Sequence, residues 1–166
     1  MAHVTLPGIN WRNLNPLAED AFTIFEAGGF ETAVVMSNLG AGLPLEIARR
    51  KPAALLIGRL FRGGPDLPTV DDAVNEWSPY IQATRGVIKH FQIDNESPIN
   101  YPAVSAADFS TWWLRVLRRL REKYPGLLWG FPAPPPGPEA IPYMEACREA
   151  VEAADWISTH CYWEEI

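Results

Sequence analysis

The 166-residue sequence contains little cysteine, no basic excess and no long apolar run. Its two cysteines, Cys147 and Cys161, form neither a disulfide framework nor the spacing of a zinc site. Lys and Arg number 14 against 20 Asp and Glu, so the formal charge is −6 and no basic surface for nucleic acid is expected. No apolar run reaches the ~18 residues that a transmembrane helix needs. We therefore expect no nucleic-acid partner and no membrane partner.

The remaining composition is that of a globular domain. Hydrophobic residues make up 48% of the chain and aromatic residues 11%, enough for one buried core. The 16 prolines fall between apolar segments rather than in one low-complexity tract. Residues 1–7 lack the basic stretch and the apolar run of a signal peptide. These features predict a single soluble domain over residues 1–166, cytoplasmic as the chain stands.

Short apolar runs alternate with segments of helical spacing along the whole chain. The strand-like runs are Val4–Ile9, Thr32–Met36, Ala53–Leu60, Val87–Ile93, Leu127–Phe131 and Trp156–Cys161. Helices are predicted from Asn15-Pro16 to Gly28-Gly29, over Asp71–Ala83 with a kink or break at Pro79, and over Ala106–Lys123. Each strand and helix pair has the length of a βα unit, so the pattern predicts an α/β fold with about six parallel strands.

The fourth run favours a barrel over an open sheet. Strand alternation from residue 90 onward places four polar side chains on one face: His90, Gln92, Asp94 and Glu96. A central strand of a doubly wound sheet is apolar on both faces, whereas the open end of a barrel interior is wet. The alternative is a flavodoxin-like sheet, but no glycine-rich phosphate loop follows the first strand. The sequence therefore predicts a partial (β/α) barrel.

Glu96 is the candidate catalytic residue because it follows a buried strand at the end where α/β barrels carry their chemistry. Partial desolvation of a carboxyl there suits a general acid, and the neighbouring Asn95 amide suits a hydrogen bond to a substrate hydroxyl. An isolated Asn-Glu pair also commonly caps a loop, so its context decides between the two readings. Other polar residues end other strands, among them Asn10, Arg59, His160 and Tyr162.

That context resembles a known clan. The segment Phe91–Pro98, FQIDNESP, resembles the fourth-strand signature of the (β/α)8-barrel retaining glycoside hydrolases, which include cellulases, mannanases and β-galactosidases. There the strand ends in Asn-Glu-Pro, the Glu is the general acid/base and the Asn binds the sugar 2-hydroxyl. The resemblance implies these roles for Glu96 and Asn95, although Ser97 here separates the Glu from Pro98.

Three weaker matches extend the resemblance. His160-Cys161-Tyr162 resembles the clan's His-x-Tyr at the end of the sixth strand, and Gly8–Trp11 resembles its first strand. Arg59, which ends the third run, resembles the clan's arginine that orients substrate or nucleophile. The resemblance thus implies substrate contacts by Asn95, His160, Tyr162, Arg59, Asn10 and Trp11. It implies an oligo- or polysaccharide substrate, no metal and no organic cofactor.

The nucleophile of the clan, a Glu that ends the seventh strand, has no counterpart in this sequence. A complete barrel of this type takes about 250 residues, so the chain holds the first six of eight βα units. Glu164 and Glu165 follow the sixth strand too closely to replace that Glu and are interpreted as loop residues. An incomplete barrel has two bare edges, which predicts a homo-oligomer or a missing C-terminal barrel segment.

Three functional hypotheses remain open at this point. The first is a glycoside hydrolase-like domain that acts on a β-linked glycan with retention, with Glu96 as the general acid/base. The alternative is a non-catalytic carbohydrate-binding or structural relic of such a barrel. A third, an unrelated α/β protein, requires the Asn-Glu match to be accidental.

Overall fold

The computed structural model describes residues 8–11, 19–62, 64–132 and 134–158, in which six parallel strands alternate with helices. The strands are β1 Gly8–Trp11, β2 Thr32–Met36, β3 Leu55–Leu60, β4 His90–Ile93, β5 Leu128–Phe131 and β6 Trp156–Ile157. They pair strictly in chain order from β1 to β6. A doubly wound sheet reverses its strand order at a switch point, so this order excludes the flavodoxin-like alternative and confirms the α/β barrel-type architecture.

Helices follow the strands in each unit. They are α1 Glu19–Ala27, α2 Gly42–Arg50, α3 Val70–Thr84, α4 Ser97–Asn100, α5 Ala106–Lys123, α6 Ala140–Ala146 and α7 Arg148–Ala153, with a short 3₁₀ turn at Ser37–Leu39. No helix within the described ranges is long and apolar enough to cross a bilayer.

Local sequence signals explain the longest helices. Ser105 precedes α5 and its hydroxyl accepts the Asp108 backbone N–H at 3.1 Å, while Thr69 caps α3 through the Asp72 N–H at the same distance. The apolar face of α5 that the sequence predicts is buried at every position: Phe109, Trp113, Val116, Leu117 and Leu120. Helix α5 coincides with its predicted bounds.

Several predicted boundaries need correction. Helix α3 is not divided at Pro79, which occupies an exposed position in one continuous helix. Strand β4 begins only at His90, because the preceding chain turns back onto α3 through hydrogen bonds from Val87 and Ile88 to the Thr84 carbonyl. The predicted end of α1 at the glycine pair is confirmed, since Gly29 has φ 64°. Its predicted start and the end of the sixth run lie outside the described residues.

The two faces of the sheet differ in burial. The outer face, beneath the helices, is fully buried and holds Ala33, Val35, Leu56, Leu60, Phe91, Ile93, Trp129 and Phe131. The absence of a side chain at Gly58 leaves room for the Phe91 ring, which a Cβ there would approach to 2.7 Å. On the inner face Arg59 and Gln92 are buried, but the row of Val34 and Ile57 is only half-buried and Leu128 is 40% exposed.

The inner face is organised in rows across the strands. One row joins Met36, Arg59, Gln92, Gly130 and Trp156 through successive register pairs. Because register partners in parallel strands share a face, this row lies on the inner side near the carboxyl ends of the strands. Within the described residues β1 and β6 do not pair with each other, so the barrel is open.

Candidate active site

A cleft of about 310 Å³ opens at the carboxyl ends of β2, β3 and β4. Its lining residues are Met36, Asn38, Leu39, Phe61, Asn95, Glu96 and Asn100. The apolar members come from the ends of β2 and β3, and the polar members come chiefly from the turn after β4. The cleft therefore contains both members of the Asn-Glu pair that the sequence analysis singled out.

The turn after β4 has an unusual backbone. Asp94 and Glu96 have φ values of 68° and 28°, the only positive values at non-glycine positions in the described part of the chain. Positive φ is strained for most L-residues, and such strain concentrates at functional sites. The Asp94 N–H donates to the Leu60 carbonyl at 2.8 Å, which fixes the turn to the end of β3. Strict alternation therefore stops at Ile93, and the predicted continuation of one polar face through residues 94 and 96 is wrong.

Asn95 and Glu96 act as one unit. The Asn95 Nδ2 donates to Glu96 Oε2 at 3.2 Å, and Asn100 Nδ2 in turn donates to the Asn95 carbonyl. Asn95 is buried while Glu96 is half-buried, so the carboxyl faces the cleft and the amide supports it from below. One hydrogen of the Asn95 amide remains for a ligand hydroxyl, since Nδ2 carries two. The arrangement can therefore hold a hydroxyl group beside the Glu96 carboxyl.

Arg59 and Asp94 form a buried layer next to this unit. Arg59, on β3, is 4% exposed and pairs in register with Gln92, whose Nε2 donates to the Asp94 carbonyl at 2.7 Å. Burial raises the pKa of the Asp94 carboxyl from its ordinary 3.8 to about 7, against the lowering effect of nearby hydrogen-bond donors and of the Arg59 charge. The sequence placed Asp94 in a polar row but assigned it no role.

A second concavity lies on the other side of the same turn. It encloses about 210 Å³ between Pro98, the segment 134–140 and Tyr143, and five of its lining residues are prolines. The Tyr143 hydroxyl shares a hydrogen bond with the Ser97 hydroxyl, so α6 is tied to the residue that follows Glu96. Burial raises the pKa of Tyr143. The proline-rich segment after β5 thus walls a groove. Tyr143 is a residue that sequence reasoning missed, because nothing in its local pattern distinguishes it.

The structure describes only some of the other site residues that the sequence predicts. Asn10 is exposed at the end of β1 and belongs to the inner-face row of Val34, Ile57 and His90, one row below Arg59. Trp11 ends β1, and its side chain lies outside the described part of the structure. His160, Tyr162, Glu164 and Glu165 lie outside the described residues. Within the described ranges no three His, Cys, Asp or Glu side chains come together to hold a metal ion.

Comparison with solved structures confirms the class of fold, a (β/α) barrel type. The mannohexaose complex of the Thermomonospora fusca β-mannanase matches with a TM-score of 0.64 and 19% identity over 95% of this chain. Its mannotriose complex gives 0.64 and 18% over 95%, and N2152 from Neocallimastix frontalis gives 0.68 and 14% over 92%. The chain spans 60% of the mannanase and 42% of N2152. No protein-family profile and no curated protein matches.

Proposed function

We propose that this chain binds a β-linked glycan and carries the acid/base half of a retaining glycoside hydrolase site. The observation that carries the proposal is the Asn95–Glu96 unit, held on a left-handed turn at the carboxyl end of β4 and open to the cleft. The fold neighbours in complex with mannohexaose and mannotriose support a glycan ligand. Mannan-type oligosaccharides are accordingly the first ligands to test.

In the proposed reaction Glu96 acts twice. A nucleophile attacks the anomeric carbon, the glycosidic C–O bond breaks, and Glu96 gives its proton to the leaving oxygen. Glu96 then removes a proton from a water molecule, whose oxygen displaces the nucleophile and restores the configuration. The Asn95 amide donates to a sugar hydroxyl during both steps. Retention requires a second carboxylate about 5–5.5 Å from the acid/base, and we place it in the two βα units that complete such a barrel.

The proposal predicts glycan binding by this chain but negligible turnover. General acid catalysis alone contributes about 10²- to 10⁴-fold, which is far below the 10⁶-fold or more of complete enzymes. Isothermal titration with mannohexaose should show binding by the wild type. Asn95→Ala should weaken it about tenfold through the lost hydrogen bond, and the exposed control Glu145→Gln should not change it.

We expect measurable turnover when a small external nucleophile takes the place of the second carboxylate. Azide can attack the anomeric carbon of an aryl β-mannoside while Glu96 protonates the phenolic oxygen, which gives a glycosyl azide and a phenol. We expect azide-dependent phenol release by the wild type and by Glu145→Gln, and a loss of at least about 10²-fold in Glu96→Gln. Equal rates in Glu96→Gln, or no azide-dependent release by the wild type, would remove the catalytic assignment.

A non-catalytic carbohydrate-binding role is the second candidate, and the open sheet favours it. It predicts the same binding of mannohexaose and the same loss in Asn95→Ala. It differs in the azide experiment, where it predicts no phenol release by any variant.

A further inference from the structure

A groove rich in proline lies beside the turn that carries Glu96. It is the concavity of about 210 Å³ between Pro98, the segment 134–140 and Tyr143, which we call the proline groove. The segment follows β5 and the turn follows β4, so the groove lies at the same carboxyl edge of the sheet as the cleft. Pro98 stands two residues after Glu96, and two trans peptide units span at most about 7.6 Å between Cα atoms. One wall of the groove is therefore close to Glu96.

The walls of the proline groove are fixed by hydrogen bonds and by proline itself. The Ser97 and Tyr143 hydroxyls share a hydrogen bond that joins the turn to α6. The Ala140 N–H donates to the Gly137 carbonyl at 3.1 Å, which ties the end of the loop to the start of α6. Each proline ring fixes its own φ angle, so a lining with five prolines has little backbone freedom to lose. A preformed groove of this kind binds a rigid ligand at a small cost in entropy.

The chemistry of the lining favours an aromatic ring over a sugar ring. The lining is predominantly apolar, and Glu139 is its charged member among the described residues. A pyranose ring carries several hydroxyl groups, and each one that is buried without a partner weakens binding. An aromatic ring without such hydroxyl groups gains affinity by leaving water and packing against apolar groups.

Size and charge narrow the ligand further. A closed cavity of about 150 Å³ holds one benzene molecule, so about 210 Å³ suits a single six-membered ring with a small substituent. Glu139 is exposed at the groove, and the chain has a formal charge of −6. Both charges disfavour a ring that is itself negatively charged. The ligand that fits is therefore one neutral aromatic ring.

We propose that the proline groove binds one neutral aromatic ring, the aglycone of an aryl β-glycoside whose glycosidic oxygen lies at Glu96. The assignment of the ring as an aglycone rests on the proposed function, because Glu96 is there taken as the acid that protonates that oxygen. The sugar then occupies the cleft and the aryl group occupies the proline groove, with the bond between them above the turn. The groove thereby selects aryl leaving groups.

The first experiment uses no sugar. Phenol, which is neutral at about pH 7, is titrated into the full chain while backbone amide signals are followed by NMR. We expect saturable shifts at Gly137 and Ala140 and none at Asn38 in the cleft. Ala140→Leu, which fills the groove, should abolish the shifts, and Ala146→Leu, at the exposed end of the same helix, should not. Pro136→Ala, which removes part of the wall, should weaken phenol binding about threefold or more.

Circular dichroism first establishes that the three variants are folded. Absence of shifts at the groove in the wild type would overturn the proposal. Equal phenol binding by the wild type, Ala140→Leu and Pro136→Ala would overturn it as well.

The second experiment tests the aglycone assignment by isothermal titration with phenyl, para-carboxyphenyl and methyl β-mannosides. In the wild type and Ala146→Leu, we expect the phenyl mannoside to bind at least about tenfold tighter than the methyl mannoside. The gain should be lost for the para-carboxyphenyl mannoside and in Ala140→Leu. Equal binding of the phenyl and methyl mannosides would overturn the aglycone assignment.

Two further outcomes separate this proposal from its alternatives. If mannobiose shows the same gain and Ala140→Leu abolishes it, the groove takes a sugar ring and the aryl assignment is overturned. If no mannoside binds, the proposed function fails, while the phenol titration still decides whether the groove binds an aromatic ring.

Discussion

The Asp94 carboxyl has a consequence for stability that is independent of any ligand. Its pKa is raised on folding, so the folded chain holds a proton that the unfolded chain releases. The protonated Asp94 carboxyl therefore stabilises the fold fully, relative to the ionised form, below about pH 4. This contribution to the free energy of unfolding is lost as the pH rises to about 7. A shift from 3.8 to about 7 corresponds to on the order of 4 kcal/mol.

We therefore expect Asp94→Asn to increase the free energy of unfolding at pH above about 7 and to change it little below about pH 4. Urea unfolding of both proteins at the two pH values measures this directly. Equal destabilisation at both pH values would show that the Asn side chain disturbs the turn itself.

The sequence alone singles out Glu96 and Asn95 as candidates, whereas it assigns no role to Asp94. The Asn-Glu pair stands out by its position after an apolar run, which depends only on local pattern. The environment of Asp94 depends on the left-handed turn and on Arg59, which lies 35 positions earlier in the chain. Both features depend on contacts between distant segments of the chain. Strand alternation alone therefore wrongly extended the predicted polar face past Ile93.

At the scale of elements, the contact between β5 and β6 depends on one glycine. A Cβ at Gly130 would overlap the indole of Trp156, its register partner on β6. We expect Gly130→Ala to displace this ring and to destabilise the chain by about 1–3 kcal/mol. Gly86 has open space around its Cβ position and no positive φ, so Gly86→Ala is the matched control.

Chemical denaturation measures this loss, and the fluorescence of the folded variant reports the displaced indole. A loss in Gly130→Ala no larger than that in Gly86→Ala would mean that β6 is not held in this register. Among the described strands β6 pairs only with β5, so its position is the part of the sheet most sensitive to this substitution.

Elements with strong local signals were predicted more accurately than those without. Helix α5 has a capping serine, an apolar face with helical spacing and a Tyr-Pro-Gly stop, and its predicted bounds are confirmed. Strand β2 is a short apolar run between glycine-containing turns, and its bounds are confirmed too. The start of β4 was placed three residues early, because Val87 and Ile88 are apolar as a strand is but turn back onto α3.

At the scale of the whole molecule, the inner face of the sheet leaves apolar side chains partly exposed to water. Aliphatic residues of β2 and β3 on this face, such as Val34 and Ile57, are only half-buried, whereas their outer-face neighbours are fully buried. The edges of β1 and β6 are bare within the described residues. Apolar faces and bare edges of this kind promote association between chains.

We therefore expect the chain to self-associate through the inner face, with a mass above the 18.5 kDa of one copy in light scattering. Val34→Lys places a charge in the middle of that face and should shift the mass toward the monomer. Ile141→Lys, at a site 72% exposed on α6 and away from the sheet, should leave it unchanged. Circular dichroism first establishes that both variants are folded. A wild-type chain that stays monomeric at high concentration would show that the half-buried part of the inner face does not drive association.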